Sequence, residues 1–428
     1  MSQNQPLMNR KMLNRLAFGL MTIAIILFGW NFLSRFFEDP DLGSVNSTGW
    51  IAAIEETPNG SQAVIIKSSG QVVASPDFAD GNQDQGIVWQ PDGNRLFFSS
   101  DRDPAKSFHI FRWNPAKEVV QDRSIGSRSQ DNPTFPIDSL QPIAQNFLII
   151  SGGLVDDFNP RNGETHQQIP FVGRNPTEAE GGQGVGSQFG PEYKYLGTAF
   201  RIARWCDDKK YIVGVMERDT GGETLVVQNM NPTNTEDAMP VPVIAGDHID
   251  FTIDPASGSI VYCVQNWRVI DPDHPPKGLV KGNKIVPPFE NAIGDLNLND
   301  PTKSGIVAAS PDNTMCFGMP AITPDGSKIL FVAGNYSNGL VSQGLFVCAN
   351  QPRSSTSLTQ LLRGSIYSPS WSPDGKQMTF IKPGTSGKND VFTMGNDGSN
   401  LKDLTNGSGN FSAPQFSPQT ISVSSSTP

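Results

Sequence analysis

Three stretches of this chain carry the same punctuation at the same place in an apolar pattern. Trp89-Gln90-Pro91-Asp92-Gly93 runs into Leu96-Phe97-Phe98, and Ile322-Thr323-Pro324-Asp325-Gly326 runs into Ile329-Leu330-Phe331. The third, Trp371-Ser372-Pro373-Asp374-Gly375, runs into Met378 and Phe380. Proline presets φ, glycine accepts φ > 0, and apolar alternation resumes at once, so each stretch reads as two strands joined by a tight turn. Asp325 and Asp374 are 49 residues apart, the length of one four-stranded blade in a repeat architecture.

Weaker copies fill the space between these three. Gln141-Pro142 precedes the strand Phe147 to Ile150, Cys206-Asp207-Asp208 precedes Tyr211 to Met216, and Asp254-Pro255-Ala256-Ser257-Gly258 precedes Ile260 to Val264. Successive starts from Asp92 are spaced by about 50, 65, 47, 71 and 49 residues. The two long intervals contain Gly173 to Gly190, rich in glycine, and Pro272 to Asp312, rich in Pro, Asn and Lys. Both read as loop insertions, the second with room for a degenerate blade whose trace would be Ser310-Pro311-Asp312-Asn313. At the front, Trp50 to Glu55, Ala63 to Lys67 and Gln71 to Ala74 make three strands with no first strand before them. At the back, Ser412 to Pro418 is a first strand with nothing after it. Pairing the two ends closes the ring and removes its open edges. The expected fold is therefore all-β: a single β-propeller of four-stranded blades, seven favoured, with six or eight as alternatives.

Composition bears on two further points. Hydrophobic residues are 37% of the chain and Phe, at 25, is the commonest aromatic, which suits stacked sheets. The net charge of −10 comes without any Lys/Arg cluster, which excludes nucleic acid as the main partner. Cys206, Cys263, Cys316 and Cys348 show no CxxC spacing. They fit buried thiols, with one disulfide as an alternative, better than a zinc site.

Leu16 to Leu33 is apolar and uncharged over eighteen residues, roughly 27 Å as a helix and close to the thickness of a bilayer core. Arg10, Lys11 and Arg15 precede it, while Glu38, Asp39 and Asp41 follow. This asymmetry places the N-terminus in the cytoplasm. Trp30, Phe32, Phe36 and Phe37 suit an interfacial belt, and no small-x-small cleavage site follows. The expectation is an uncleaved signal anchor at 16–34 after a cytoplasmic tail at 1–15. A linker at 35–47, the propeller at 48–418 and a Ser/Thr-rich tail at 419–428 complete the chain, with the propeller on the periplasmic or outer face.

The repeat resembles that of TolB-type, WD40-like propellers, in which Ser/Thr-Pro-Asp-Gly precedes an Ile/Leu-x-Phe strand. The fullest match is the unit from 371 to 405, including Asp397-Gly398-Ser399-Asn400-Leu401 and Leu404-Thr405. The units from 89 and 322 match well and about four others weakly. The resemblance implies the fold; the family includes binding proteins, membrane-anchored proteins and propeller domains attached to peptidases. The segment between the membrane stretch and the first strand is about fourteen residues, short of the α/β domain that precedes the propeller in the family's namesake. No Tol–Pal role is carried over.

A search for chemistry nominates no catalytic residue, metal ligand or cofactor. Gly186-Ser187-Gln188 and Asn406-Gly407-Ser408-Gly409 lack the nucleophile-elbow frame, and Gly387-Lys388 lacks the upstream glycine of a phosphate loop. Of the four histidines, His109 and His248 read as strand residues, and His166 and His274 as residues of polar loops. Their spacing asks for no metal. Asp374, Asp397 and the other turn aspartates read as turn formers. The more promising surface is the insertion Glu178 to Gly184 with Phe189, Tyr193 and Tyr195 behind it. The expected function is non-catalytic binding or scaffolding of a protein or envelope glycan, through loops and funnel. The alternative is a polysaccharide lyase or hydrolase with a funnel site.

Overall fold

The computed structural model describes residues 46–418, apart from 77, 91, 103–107, 123–130, 135–146, 152–153, 160–163, 169–199, 207–210, 219–220, 230–240, 272–279, 282–283, 286–287, 311–313, 337–339 and 355. In the third blade only the backbone is described. The membrane stretch, the Glu178–Gly184 insertion with its aromatic residues, His274 and the tail lie outside the described residues. Among the described residues, no helix is long and apolar enough to cross a membrane.

The strands form seven four-stranded antiparallel sheets and one two-stranded hairpin among the described residues. In chain order, the inner strands of blades two to seven are Asp84–Trp89, Asp131–Thr134, Phe200–Cys206, His248–Ile253, Cys316–Ile322 and Tyr367–Trp371. The inner strand of blade one comes from the other end of the chain. Asn410–Phe416 pairs antiparallel with Ile51–Thr57, joining Phe416 to Ile51 and Asn410 to Glu56. The ring closes as the unpaired sequence ends require.

Two devices recur in blades two, six and seven. The first is the turn between inner and second strand. Asp374 accepts from the Ser372 hydroxyl (2.7 Å) and the Lys376 amide (3.1 Å), and Asp325 repeats this with Thr323 (2.6 Å) and Ser327 (3.0 Å). These hydrogen bonds favour the ionised carboxylates and pull Asp325 down to about 2. The turn aspartates are structural, as read from the sequence. The second device is a phenylalanine six residues after the turn aspartate. Phe98, Phe331 and Phe380 stand directly opposite Phe111, Phe346 and Phe392 on the third strand. Their rings stack with centroids 6.2, 5.9 and 6.1 Å apart. Such cross-strand aromatic pairs are worth ~1 kcal/mol each beyond the area they bury.

Three expectations are corrected. The segment Pro272 to Asp312 is only partly an insertion. It contains the hairpin Val280–Lys281/Lys284–Ile285 and then Asn291–Leu296 and Gly305–Ser310, the third and outer strands of blade five. The strand Asn-Ala-Ile-Gly-Asp-Leu looks like loop because its polar positions are used internally. Asn291 is fully buried and bonds the next blade, and the Tyr262 ring occupies the space a Cβ on Gly294 would need, 2.4 Å away. Ser310 accordingly ends an outer strand instead of starting a blade. His166 lies in the strand Glu164–Gln168, paired with Asp157, and not in a loop. All four cysteines are buried and free, and burial pushes the Cys348 thiol up to about 12, as inert core thiols require.

Candidate functional site: the channel ring

Antiparallel topology fixes which connections share a face. Inner-to-second turns, the Pro-Asp-Gly class, all lie at one end of the ring, here the turn face. Second-to-third and blade-to-blade connections lie at the other. Both long connections, 169–199 between the outer strand of blade three and blade four, and 266–290 in blade five, leave that second end, the insertion face.

At the insertion face, polar residues early in the third strands of blades four to seven fasten the start of the next blade. Glu223 accepts from the Ile249 amide (2.7 Å), Ser342 accepts from the Ile366 amide (3.0 Å), and Asp390 accepts from the Gly407 amide (2.8 Å). Asn291 donates to the Met315 carbonyl (3.1 Å). His248, the first residue of its inner strand, stands between two carboxylates: Nδ1 lies 3.4 Å from Glu223 and Nε2 3.2 Å from Asp250. Hydrogen bonds to Asp250 and then Glu223 outweigh desolvation and raise its pKa to about 9. Asp250 also accepts from the Met319 amide (3.0 Å). The imidazolium thus ties blades four, five and six, with both nitrogens occupied. His109 begins the third strand of blade two. Among the described residues, no group of three His, Cys, Asp or Glu is placed to hold a metal ion.

The channel itself is lined by the inner strands. In six of the seven, pairing with the second strand slips at a bulge, and only blade five runs without a slip, from His248 to Ile253. At four of these bulges a residue takes left-handed φ: Gly86 (59°), Met319 (52°), Ser368 (47°) and Ala413 (50°). The last three each precede a proline, Pro320, Pro369 and Pro414. An extra residue with no ladder partner is where a missing N–H costs least. The proline rings then face the channel.

Aligning blades by register gives one equivalent position in six of the seven blades. Trp89, Trp205, Ile253, Ile322, Trp371 and Phe416 are equivalent, each paired with the first apolar residue of the second strand. Two of them make the same bond: Trp371 Nε1 donates to the Ala321 carbonyl (3.2 Å), and Trp89 Nε1 to that of Gln415 (3.2 Å). The residue before each forms the ring Val88, Arg204, Thr252, Ala321, Ser370 and Gln415. Five of these, from Arg204 to Gln415, line a cavity of about 540 Å³ at the turn-face end, walled by Phe251, Trp371 and the prolines. Arg204 carries the one charge in this described part of the ring. Desolvation lowers its pKa from the usual guanidinium value, and no carboxylate pairs with it among the described residues. The hydroxyls of Thr252 and Ser370 likewise make no hydrogen bond among the described residues. The surface of this cavity is more polar than apolar, and a concave site with a few unengaged polar groups is suited to a ligand. Sequence inspection alone passes over Arg204, Thr252 and Ser370. The signal that finds them is a column of the aligned repeats that admits polar and charged residues between two columns that stay apolar.

Fold and site together define a seven-bladed β-propeller closed by its own two ends. No protein-family model matches the chain, and no characterised protein matches its sequence. Solved structures do resemble it, among them oligogalacturonate lyase in complex with manganese (TM-score 0.50, 10% identity, 83% of this chain and 85% of that one). TolB from Acinetobacter baumannii is similar over 91% of this chain and 71% of that one (TM-score 0.46, 12% identity). The propeller domain of the trilobed protease from Pyrococcus furiosus is similar over 84% and 95% (TM-score 0.48, 10% identity). At these identities the likeness is one of fold alone.

Proposed function

We propose that this protein is a binding propeller, held at the outer face of a membrane by its N-terminal segment, that takes a protein segment or envelope glycan at the channel. The observation that carries this reading is the ring Arg204, Thr252, Ala321, Ser370 and Gln415. Neighbouring columns stay apolar and serve the fold, whereas this one admits polar and charged residues, lines the cavity and leaves Arg204, Thr252 and Ser370 without a hydrogen bond among the described residues. The membrane segment rests on the charge asymmetry around 16–34.

The test is capture of envelope protein and glycan fractions by the detergent-solubilised full chain, beside Ser370→Trp, which fills the channel. Binding that the tryptophan abolishes without lowering the melting temperature supports the reading. Capture unaffected by the plug sinks it. The enzymatic alternative, a polysaccharide lyase or hydrolase, replaces it if the full chain cleaves the bound glycan and Ser370→Trp stops the cleavage.

A further inference from the structure

We infer that the channel ring is an anion site, built by Arg204 to take a terminal carboxylate. The inference rests on the proposed binding function and specifies its ligand. Arg204 projects from the inner strand of blade four into a cavity otherwise lined by Phe251, Trp371, prolines and neutral ring residues. A guanidinium partly withdrawn from water without a counter-charge carries a desolvation cost. In this fold nothing forces the cost, because the equivalent positions hold Val, Thr, Ala, Ser and Gln without consequence for the strands. A cation with no carboxylate partner among the described residues is stabilised when an anion arrives. Its planar fork suits a carboxylate, which it can hold through two parallel N–H bonds.

The rest of the cavity selects what carries the carboxylate. Thr252 on the adjoining blade and Ser370 offer free hydroxyls to the remaining oxygen lone pairs. The proline and aromatic walls offer a planar group a surface to lie on beside the polar ring. The Trp371 indole N–H is already donated to Ala321, so that ring contributes surface and not a further polar contact. A cavity of about 540 Å³ holds a small aromatic acid or the last few residues of a chain, and both sources share the same terminal chemistry.

Calorimetric titration of the detergent-solubilised full chain tests this with two acids and their uncharged amides: phenylacetate against phenylacetamide, and Ac-Ala-Ala-Pro-Phe as free acid against its C-terminal amide. The expected result is acid binding at least about tenfold tighter than amide binding, near 1.4 kcal/mol. Arg204→Gln should bring the acid down to the amide level, with Arg204→Lys intermediate. If the peptide acid binds and phenylacetate does not, the ligand is a chain terminus; if both bind, a small organic acid suffices. Either supports the site. Amides binding as tightly as acids, an unchanged acid affinity in Arg204→Gln, or no acid binding at millimolar concentration overturns it. Should Arg204→Gln not fold, the acid–amide contrast in the native chain decides, with Thr252→Val expected to weaken the acid selectively. Failure here with capture still blocked by Ser370→Trp removes the anion site and leaves the binding function standing.

Discussion

The inner strands of blades five and seven do the same job by different means. Tyr367–Trp371 breaks its pairing after Tyr367, places Ser368 at φ 47° and follows it with proline. His248–Ile253 pairs without a slip from end to end. In place of a bulge, it carries His248 and Asp250, which reach Glu223 on one neighbouring blade and the Met319 amide on the other. One blade meets its neighbours through backbone shape and a donated indole. The other meets them through charge in a half-buried site. The ring therefore tolerates alternative local solutions provided each inner strand reaches both neighbours, and the channel column is free to vary between them.

The largest effect is expected where that condition fails outright. Ending the chain after Gly409 removes Asn410–Phe416 with its buried Phe411 and Phe416. It also strips Ile51–Thr57 of a partner and opens two sheet edges. Loss of the cooperative thermal transition is expected, followed by circular dichroism and limited proteolysis. A truncated chain melting within a few degrees of the intact one would mean that inner strands are dispensable and the comparison empty.

That closure was legible in the sequence, because a first strand at 412–418 without followers and three strands at 50–74 without a leader leave one arrangement. The turns, and seven as the favoured blade count with six and eight as alternatives, were legible for the same reason: local patterns recur along the chain. The cross-strand phenylalanine pairs were not, because they depend on strand register. The rest that was not legible depends on which residues from separate blades meet. Nothing near Glu223 in the chain marks it as the partner of Ile249 and His248. Asn291 and Gly294 look like loop residues until Met315 and Tyr262 are brought against them. The channel ring lay between the two cases. Arg204 holds a repeat position, but its own turn, Asp207-Asp208-Lys209-Lys210, is too degenerate to align without strand register.

The next largest effect separates the two strategies. Asp250→Ala removes acceptors from His248 and the Met319 amide together, leaving a half-buried donor unsatisfied, and should cost about 2–3 kcal/mol. Denaturant midpoints would show it. Ser370→Ala, on the other inner strand, has no partner to lose and should stay within about 0.5 kcal/mol. Equal losses would mean that the charged cluster adds nothing over a neutral strand.

Titration sharpens the same contrast. The His248 pKa is raised from 6.5 to about 9, so the folded state binds this proton more tightly than the unfolded chain does. Its contribution is fully present below about pH 6.5 and is lost as pH rises toward 9. The imidazole is a third exposed, so solvent screening reduces the loss to about 1–2 kcal/mol. Stability curves between pH 6 and 9.5 should fall by that amount in the native protein. They should be flatter in His248→Gln, which starts lower and lacks this titration. Parallel curves would assign the fall to other groups.

The smallest effect probes the bulged strands from the opposite side. Ala413 holds φ 50° immediately before Pro414, a conformation that costs an L-residue about 1–2 kcal/mol. Glycine relieves that cost but adds about 0.5–1 kcal/mol of unfolded-state entropy, so Ala413→Gly should stabilise by about 0.5 kcal/mol. The same change in blade five, Thr252→Gly, meets a regular strand with no such strain to relieve, and should destabilise by about 1 kcal/mol. Opposite signs at equivalent halves of two inner strands would show that the bulges store local strain which blade five avoids. If Ala413→Gly destabilised as much as Thr252→Gly, the left-handed residue would have to be held by contacts strong enough to hide its strain, and the two strands would differ in shape but not in energy.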